Sequence, residues 1–260
     1  SVMKANIEVD GRFGTNGVGV SPKGLVAYWK FNGDDKDSSG YSYNMVKTGA
    51  GSSFIATDGT AGRFDGAIKF SGGTGNYAMF DESGDSRLDV TKVTMTAWVY
   101  PTTEGNGGTI VSKSNAFRMV LGNDGALKGQ FTGQGDCGED FGQVKIPFNA
   151  WSHVAVSFDG TQQNHFINGK WVLREKCSDL STNLNVNDDN VFIGATNSDD
   201  SNGFKGRIDD VQIYNRAISR SEIAYAMLLP EVEDNKFTIG LTDGKSMWAA
   251  RFTDRSTVDL

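Results

Sequence analysis

The chain has 260 residues, of which 38% are hydrophobic, so it is long and apolar enough to bury a sizeable core. Its 33 glycines and only 4 prolines indicate many tight turns. The formal net charge of −7 argues against a nucleic-acid partner. No run of about 18 apolar residues is present, so membrane insertion is not expected. The polar, glycine-rich N-terminal stretch contains no signal-peptide pattern.

Short segments of alternating polarity, separated by turns, predict β-strands from residue 24 onward. In chain order these are 25–31, 67–70, 77–80, 93–100, 109–113, 117–121, 127–132, 151–158, 165–167, 170–173, 191–195 and 208–214. Asn168-Gly169 predicts a tight hairpin, because both central residues of such a turn need positive φ. One helix is predicted, over 219–229, and Ser219 with Glu222 forms a capping box at its start.

Two flanking segments lie outside this pattern of strands. Residues 1–23 form an N-terminal arm with one alternating stretch at 5–9, and residues 230–260 form a C-terminal arm with a predicted hairpin. Both arms suit either packing against the main domain or oligomer contacts, and the sequence does not decide between them.

The sequence contains two cysteines, Cys137 and Cys177, and each lies in a polar stretch with acidic neighbours. Acidic surroundings disfavour the thiolate form, so neither is predicted to be a nucleophile. The sequence leaves two alternatives open, a disulfide bond between them or two unpaired thiols.

Several stretches in order resemble the laminin-G-like, concanavalin A-like jelly-roll family over about residues 24–228. They are 24–31 followed by the Asp-Ser-Ser-Gly at 37–40, then 67–70, 88–101 (LDVTKVTMTAWVYP), 110–113, 151–160 (WSHVAVSFDG), 166–172 (FINGKWV) and 206–222. The resemblance implies an all-β domain over 24–229: a two-sheet antiparallel β-sandwich of jelly-roll type with one short helix after the last strand. Lectin-like modules, adhesin domains, accessory modules of polysaccharide-degrading enzymes and some glycosidases share this fold, so it does not define the function.

A calcium site is the first candidate functional feature. Asp35 and Asp37 place oxygen ligands at alternate positions before a turn glycine, which suits a hard cation. The family resemblance implies a structural Ca²⁺ held between an early loop and a late strand, which matches Asp37 with Asp209 or Asp210 here. Asn44 would add a side-chain oxygen. The alternative is a solvated acidic turn and an ordinary strand carboxylate.

Catalytic patterns are weak in this sequence. Glycosidases of related fold use two carboxylates on one strand, and the nearest approach, Glu231-Val232-Glu233, follows a proline outside the predicted sandwich. His153 and His165 are both expected to be structural. The protein is therefore not expected to be an enzyme, although a hydrolase stays a third option.

Aromatic residues near loops are the candidates for stacking on a sugar ring. These are Tyr41 and Tyr43 beside the proposed calcium loop, Tyr77 after a glycine-rich loop, and Trp171 after the Asn168-Gly169 turn.

The combined expectation is a non-catalytic, calcium-stabilised module that binds a polysaccharide or glycan at a surface. The alternative is a structural surface or assembly protein, such as a virion decoration or fibre-associated protein or a bacterial adhesin domain, with the arms making oligomer contacts. Both expectations place the protein outside the cell or exposed on a cell or virion surface.

Overall fold

The computed structural model describes residues 22–55, 62–82, 84, 86–102, 107–132, 144–177, 184–201, 203–233, 241–242 and 247–248. They form two antiparallel sheets packed as a sandwich, with one helix after the last sandwich strand. The predicted fold class is confirmed. In the described part of the chain, no helix combines the length and apolar character needed to cross a membrane.

The sandwich strands follow one another along the chain. They are β1 (Leu25–Trp29), β2 (Val46–Thr48), β3 (Ser52–Ile55), β4 (Ala67–Ser71), β5 (Tyr77–Phe80), β6 (Val93–Pro101), β7 (Gly108–Lys113), β8 (Phe117–Leu121), β9 (Leu127–Phe131), β10 (Ser152–Phe158), β11 (Gln162–Ile167), β12 (Lys170–Lys176), β13 (Val191–Ile193) and β14 (Lys205–Tyr214). The helix α1 spans Arg220–Glu233, and β15 (Leu241–Thr242) pairs with β16 (Met247–Trp248).

The strands divide between two sheets. Sheet 1 has the order β12-β11-β10-β6-β14-β4-β3, with β1 also paired to β14. Sheet 2 has the order β2-β5-β13-β7-β8-β9. Strands β2 and β3 were not predicted, because both are short and show no clear alternation of apolar residues.

The core lies between the two sheets and is built by the predicted alternation. On β6 the core side chains are Val93, Met95, Ala97 and Val99, and on the neighbouring β10 they are Val154, Val156 and Phe158. Each is fully buried. Full burial of a valine, methionine or phenylalanine side chain contributes about 1.5–3 kcal/mol to the free energy of folding.

A β-bulge interrupts β14 at the pair of aspartates. Ile208, Val211 and Ile213 all belong to the core, so one extra residue separates the first two of them. The pairing of β14 with β6 shifts register between Asp209 and Gln212, and Asp210 has a φ of 49°. A bulge of this kind re-aims side chains, and here it places two carboxylates between core positions.

Helix α1 begins with the predicted capping box. The backbone N–H of Ser219 donates to Glu222 Oε2 (2.7 Å), and the N–H of Glu222 donates to Ser219 Oγ (3.3 Å). Glu222 also forms an ion pair with Arg216. Hydrogen bonding from Arg216 is the largest cause that lowers the pKa of Glu222 to about 2.

The predicted end of the helix, at residue 229, is wrong, because α1 continues to Glu233. Pro230 has no N–H and leaves the carbonyl of Ala226 without its usual donor. The side-chain amide of Gln212, on β14, donates to that carbonyl instead (3.0 Å). The sheet therefore supplies the hydrogen bond that the proline removes.

The two predicted arms lie mostly outside the described residues. Of the N-terminal arm only residues 22–23 are described, and of the C-terminal arm residues 230–233 and the short β15–β16 pair. Their roles in packing or oligomer contacts stay predictions. Cys177 is buried and disulfide-bonded. Cys137, the only other cysteine of the sequence, lies outside the described residues, so their pairing stays a prediction as well.

Candidate functional site

The predicted calcium loop is organised around the carboxylate of Asp37. Its Oδ1 accepts hydrogen bonds from the N–H groups of Tyr28 and Ser39 (both 2.9 Å). Its Oδ2 accepts from Ser39 Oγ (2.6 Å) and from the N–H of Tyr43 (3.1 Å). A carboxylate has about four acceptor positions, so protein donors satisfy this one. Asn44 Oδ1 is also engaged, by the N–H of Asp37 (3.0 Å).

The late-strand aspartates have different partners. Asp209 is fully buried, and its Oδ2 accepts from the N–H of Arg63 (2.8 Å). Burial is the largest effect on this group and raises the pKa of Asp209 to about 7. Asp210 accepts from the phenol of Tyr28 (2.7 Å). The carbonyl of Asp35, the remaining predicted ligand, accepts from the N–H of Met45 (2.8 Å).

These residues do not fit a shared calcium site. No group of three or more Asp, Glu, His or Cys in the described part of the chain is arranged to hold a metal ion. Asp37, Asp210 and one oxygen of Asp209 instead accept hydrogen bonds from protein groups. Calcium binding stays a prediction that rests on the family resemblance.

Two of the predicted sugar-stacking tyrosines are buried. Tyr43 is 3% exposed and packs against Phe80 with ring centroids 4.7 Å apart. Tyr77 is 9% exposed and packs edge-on against Phe192. Their ring faces are therefore not available to stack on a sugar, which corrects the prediction at these two positions.

The other two predicted aromatic residues lie at the surface. Tyr41 is 44% exposed, stacks on Tyr43, and has the Arg87 guanidinium 5.0 Å from its ring centroid. It borders a groove of about 400 Å³. Trp171 is 37% exposed, and the guanidinium of Arg174 lies 4.5 Å from its ring centroid. Nothing in the structure assigns a ligand to either residue.

Both histidines, which were predicted to be structural, are buried. His153 packs against Trp98, and burial lowers its pKa to about 3. Burial also lowers the pKa of His165 to about 4, and Gln163 Oε1 lies 3.1 Å from its Nε2. Neither histidine is exposed to a substrate.

A row of side chains that the sequence patterns did not indicate crosses the outer face of sheet 2. Strand pairing joins Met79 to Phe192, Phe192 to Ser112, Ser112 to Arg118 and Arg118 to Gln130. The residues that alternate with this row on β7 and β8, such as Val111 and Met119, are in the core. The row therefore faces away from the core, and it changes from apolar at Met79 to polar at Gln130.

A loop after β13 lies against the polar end of this row. Ser112 Oγ donates to the carbonyls of Ala195 (3.1 Å) and Thr196 (3.0 Å), and Ser114 Oγ donates to the Thr196 carbonyl (3.1 Å). The N–H of Thr196 donates to Asp200 Oδ2 (2.8 Å). These hydrogen bonds fix Thr196 and its neighbour Asn197 beside the sheet.

Sheet and loop together enclose a groove of about 420 Å³, which we name the Arg118 groove. Its lining residues are Ser112, Lys113, Ser114, Asn115, Phe117, Arg118, Gln130, Phe131, Thr132, Thr196 and Asn197. Asn115, Gln130 and Asn197 are exposed, and Arg118 is half-buried. Amide, hydroxyl and guanidinium groups thus converge in this groove.

Residues 72–224 match the family model of the concanavalin A-like lectin/glucanases superfamily. The match covers more than half of the chain, so the protein belongs to this superfamily. No curated protein matches the sequence.

Several solved structures share the fold. Domain 4 of AbnA, an extracellular arabinanase from Geobacillus stearothermophilus in complex with arabinotriose, aligns with a TM-score of 0.58 at 21% identity, covering 78% of this chain and 98% of that one. The ligand binding domain of botulinum neurotoxin serotype D, in complex with N-acetylneuraminic acid, aligns with a TM-score of 0.56 at 15% identity. The alignment covers 78% of this chain and 50% of that one. Trypanosoma rangeli sialidase aligns with a TM-score of 0.61 at 14% identity, covering 82% of this chain and 34% of the sialidase. This chain spans about half of the neurotoxin domain and a third of the sialidase. At these identities the likeness shows the fold alone.

Proposed function

We propose that this protein is a non-catalytic glycan-binding module and that the Arg118 groove is its binding surface. The observation behind the proposal is the convergence of Arg118, Gln130, Asn115 and Asn197 on one face of sheet 2. Sugar hydroxyls both donate and accept hydrogen bonds, and amides and guanidinium groups are matched partners for them.

The residues that line the groove favour binding without hydrolysis. Glycoside hydrolysis normally needs two carboxyl groups on either side of the scissile bond. The lining residues that the structure describes include no aspartate, glutamate or histidine. The arabinotriose and N-acetylneuraminic acid complexes of domains with the same fold support a sugar as the ligand class.

The same proposal places the module outside the cell or at a cell or particle surface, where polysaccharides are accessible. No acidic residue is among the groove's described lining residues, so calcium is not expected to bind there. We propose that any bound calcium stabilises the fold and does not contact the glycan.

The test is a glycan array with the purified full chain, followed by calorimetric titration of the best ligand. Arg118→Ala and Gln130→Ala should each weaken binding about tenfold or more, since each removes hydrogen bonds worth about 1.5 kcal/mol or above. Lys128→Ala is the matched control, because Lys128 lies two residues before Gln130 on β9 but outside the groove lining.

Binding that is unchanged in both groove variants would contradict the assignment of the groove. If binding then fails in Tyr41→Ala or Trp171→Ala, the module binds glycan through the predicted aromatic residues instead. Sugar release by the wild type would contradict the non-catalytic assignment.

A further inference from the structure

One buried cluster of charged side chains is not used by the proposed function. Lys113, the last residue of β7, follows Val111 on the core side of sheet 2, and its side chain has no exposed area. Its Nζ lies 2.7 Å from Asp89 Oδ1 and also contacts Glu82. The side chain of Glu82 is 1% exposed and that of Asp89 is 13% exposed.

The cluster contains more acidic than basic side chains. One ammonium faces two carboxyl groups, and burying an ion pair costs several kcal/mol per ion before the attraction is counted. Burial is the main cause that raises the pKa of Glu82 to about 7, against the lowering effect of Lys113. The Oε1 atom of Glu82 has no hydrogen-bond partner among the described residues. Glu82 is therefore able to hold a proton near neutral pH.

We propose that Lys113 and Asp89 condense into an intramolecular amide bond between Lys113 Nζ and Asp89 Cγ, with Glu82 moving the protons. The ammonium of Lys113 first gives a proton to Glu82, and the neutral amine then attacks the Asp89 carboxyl carbon. Glu82 passes this proton to one carboxylate oxygen of Asp89, takes a second proton from the attacking nitrogen and passes it to the same oxygen. That oxygen leaves as water, and Glu82 is again a carboxylate. One N–C bond forms and one C–O bond breaks, so the reaction needs no oxidant, reductant or added reactant.

The geometry meets the requirements of this condensation. The amine already contacts a carboxyl oxygen, so the carbon is one bond further away and within reach of attack. A water-poor site favours the neutral amine and acid over the ion pair and disfavours hydrolysis of the product. Asp89 is the acceptor because it is the more exposed of the two acids and lets water escape, whereas Glu82 is enclosed and exchanges protons only within the cluster.

The bond would join the two sheets covalently. Lys113 ends β7 in sheet 2, and Asp89 lies shortly before β6 in sheet 1. A cross-link between two residues that are distant in sequence raises stability mainly by lowering the conformational entropy of the unfolded chain. This inference does not depend on glycan binding.

The experiment is intact-mass spectrometry of the full chain after denaturation and disulfide reduction. The wild type should be lighter than its sequence mass by one water molecule. Trypsin should then yield residues 88–92 joined to residues 93–118, since an amide at Lys113 blocks cleavage there. A wild type with the full sequence mass, and cleavage at Lys113, would overturn the proposal and leave an ionic cluster only.

Two variants check the roles of the residues. Lys113→Arg keeps a cation but removes the nucleophilic amine, and Glu82→Gln keeps the shape of the proton carrier but removes its acid. Both should have the full sequence mass. A cross-link that persists in Lys113→Arg would overturn the assignment of the amine, and one that forms unchanged in Glu82→Gln would overturn the role of Glu82.

Discussion

The phenol of Tyr28 donates a 2.7 Å hydrogen bond to Asp210, a residue 182 positions further along the chain. The backbone N–H of the same tyrosine donates to Asp37. Tyr28 therefore contacts one carboxylate from each half of the calcium site that the sequence predicted. In the structure, the early loop and the late strand are linked by this tyrosine on β1.

We expect Tyr28→Phe to lower the free energy of unfolding by about 1–3 kcal/mol, because a buried carboxylate loses a hydrogen-bond donor while the ring packing is kept. Urea denaturation of the two proteins measures the change. Tyr41→Phe is the matched control, since Tyr41 is 44% exposed and its phenol should be nearly neutral for stability. Equal losses in the two variants would argue against a structural role for the Tyr28–Asp210 bond.

The four hydrogen bonds to the Asp37 carboxylate predict that its role in stability does not depend on calcium. Because protein donors occupy both oxygens of Asp37, Asp37→Asn should destabilise the fold by about 2–4 kcal/mol with or without metal. Thermal melting in added calcium and in a chelator separates the two effects. A calcium-dependent rise in the wild type that disappears in Asp37→Asn would contradict this interpretation and support the calcium prediction.

The buried imidazole of His153 should make stability depend on pH. Its pKa is about 3 in the folded state against 6.5 when unperturbed, so the unfolded chain binds a proton between these values and the folded chain does not. This contribution to stability is complete above pH 6.5 and falls as the pH is lowered towards 3.

His153→Phe should keep the packing against Trp98 and remove this dependence. The wild type should lose stability relative to the variant between pH 7.5 and 4.5, as measured by urea denaturation at both values. At pH 7.5 the variant should be about 1 kcal/mol more stable, because neither ring nitrogen of His153 has a partner among the described residues. Parallel pH profiles would show that His153 does not titrate as a buried group.

Much of the sandwich was predictable because its signals are local. The alternation in β6 and β10 fixed which side chains enter the core, and Asn168-Gly169 fixed the β11–β12 hairpin through positive φ at both positions. These features depend on residues adjacent in sequence. The bulge at Asp210 depends instead on pairing with a strand more than 100 residues earlier, and the sequence alone did not indicate it.

The Arg118 groove could not be predicted for the same reason. Alternation on β8 and β9 does place Arg118 and Gln130 away from the core, which is the one local signal. Their approach to Thr196 depends on β13 pairing with β7 and on hydrogen bonds from Ser112 and Ser114. The prediction that aromatic residues stack on sugars failed at Tyr43 and Tyr77, because both rings are buried against another aromatic ring.

The carbonyl of Ala226 provides a final test, through a double-mutant cycle on Gln212 and Pro230. Gln212→Leu removes the donor to that carbonyl, and we expect a loss of about 1–3 kcal/mol in the free energy of unfolding. Pro230→Ala restores a backbone N–H four residues after Ala226, where the helix normally supplies the donor. The loss caused by Gln212→Leu should therefore be smaller by about 1 kcal/mol in the Pro230→Ala background. Additive effects in urea denaturation would mean that Gln212 stabilises the fold through other contacts, such as its hydrogen bond from Tyr214 (2.6 Å), and not by replacing the bond that the proline removes.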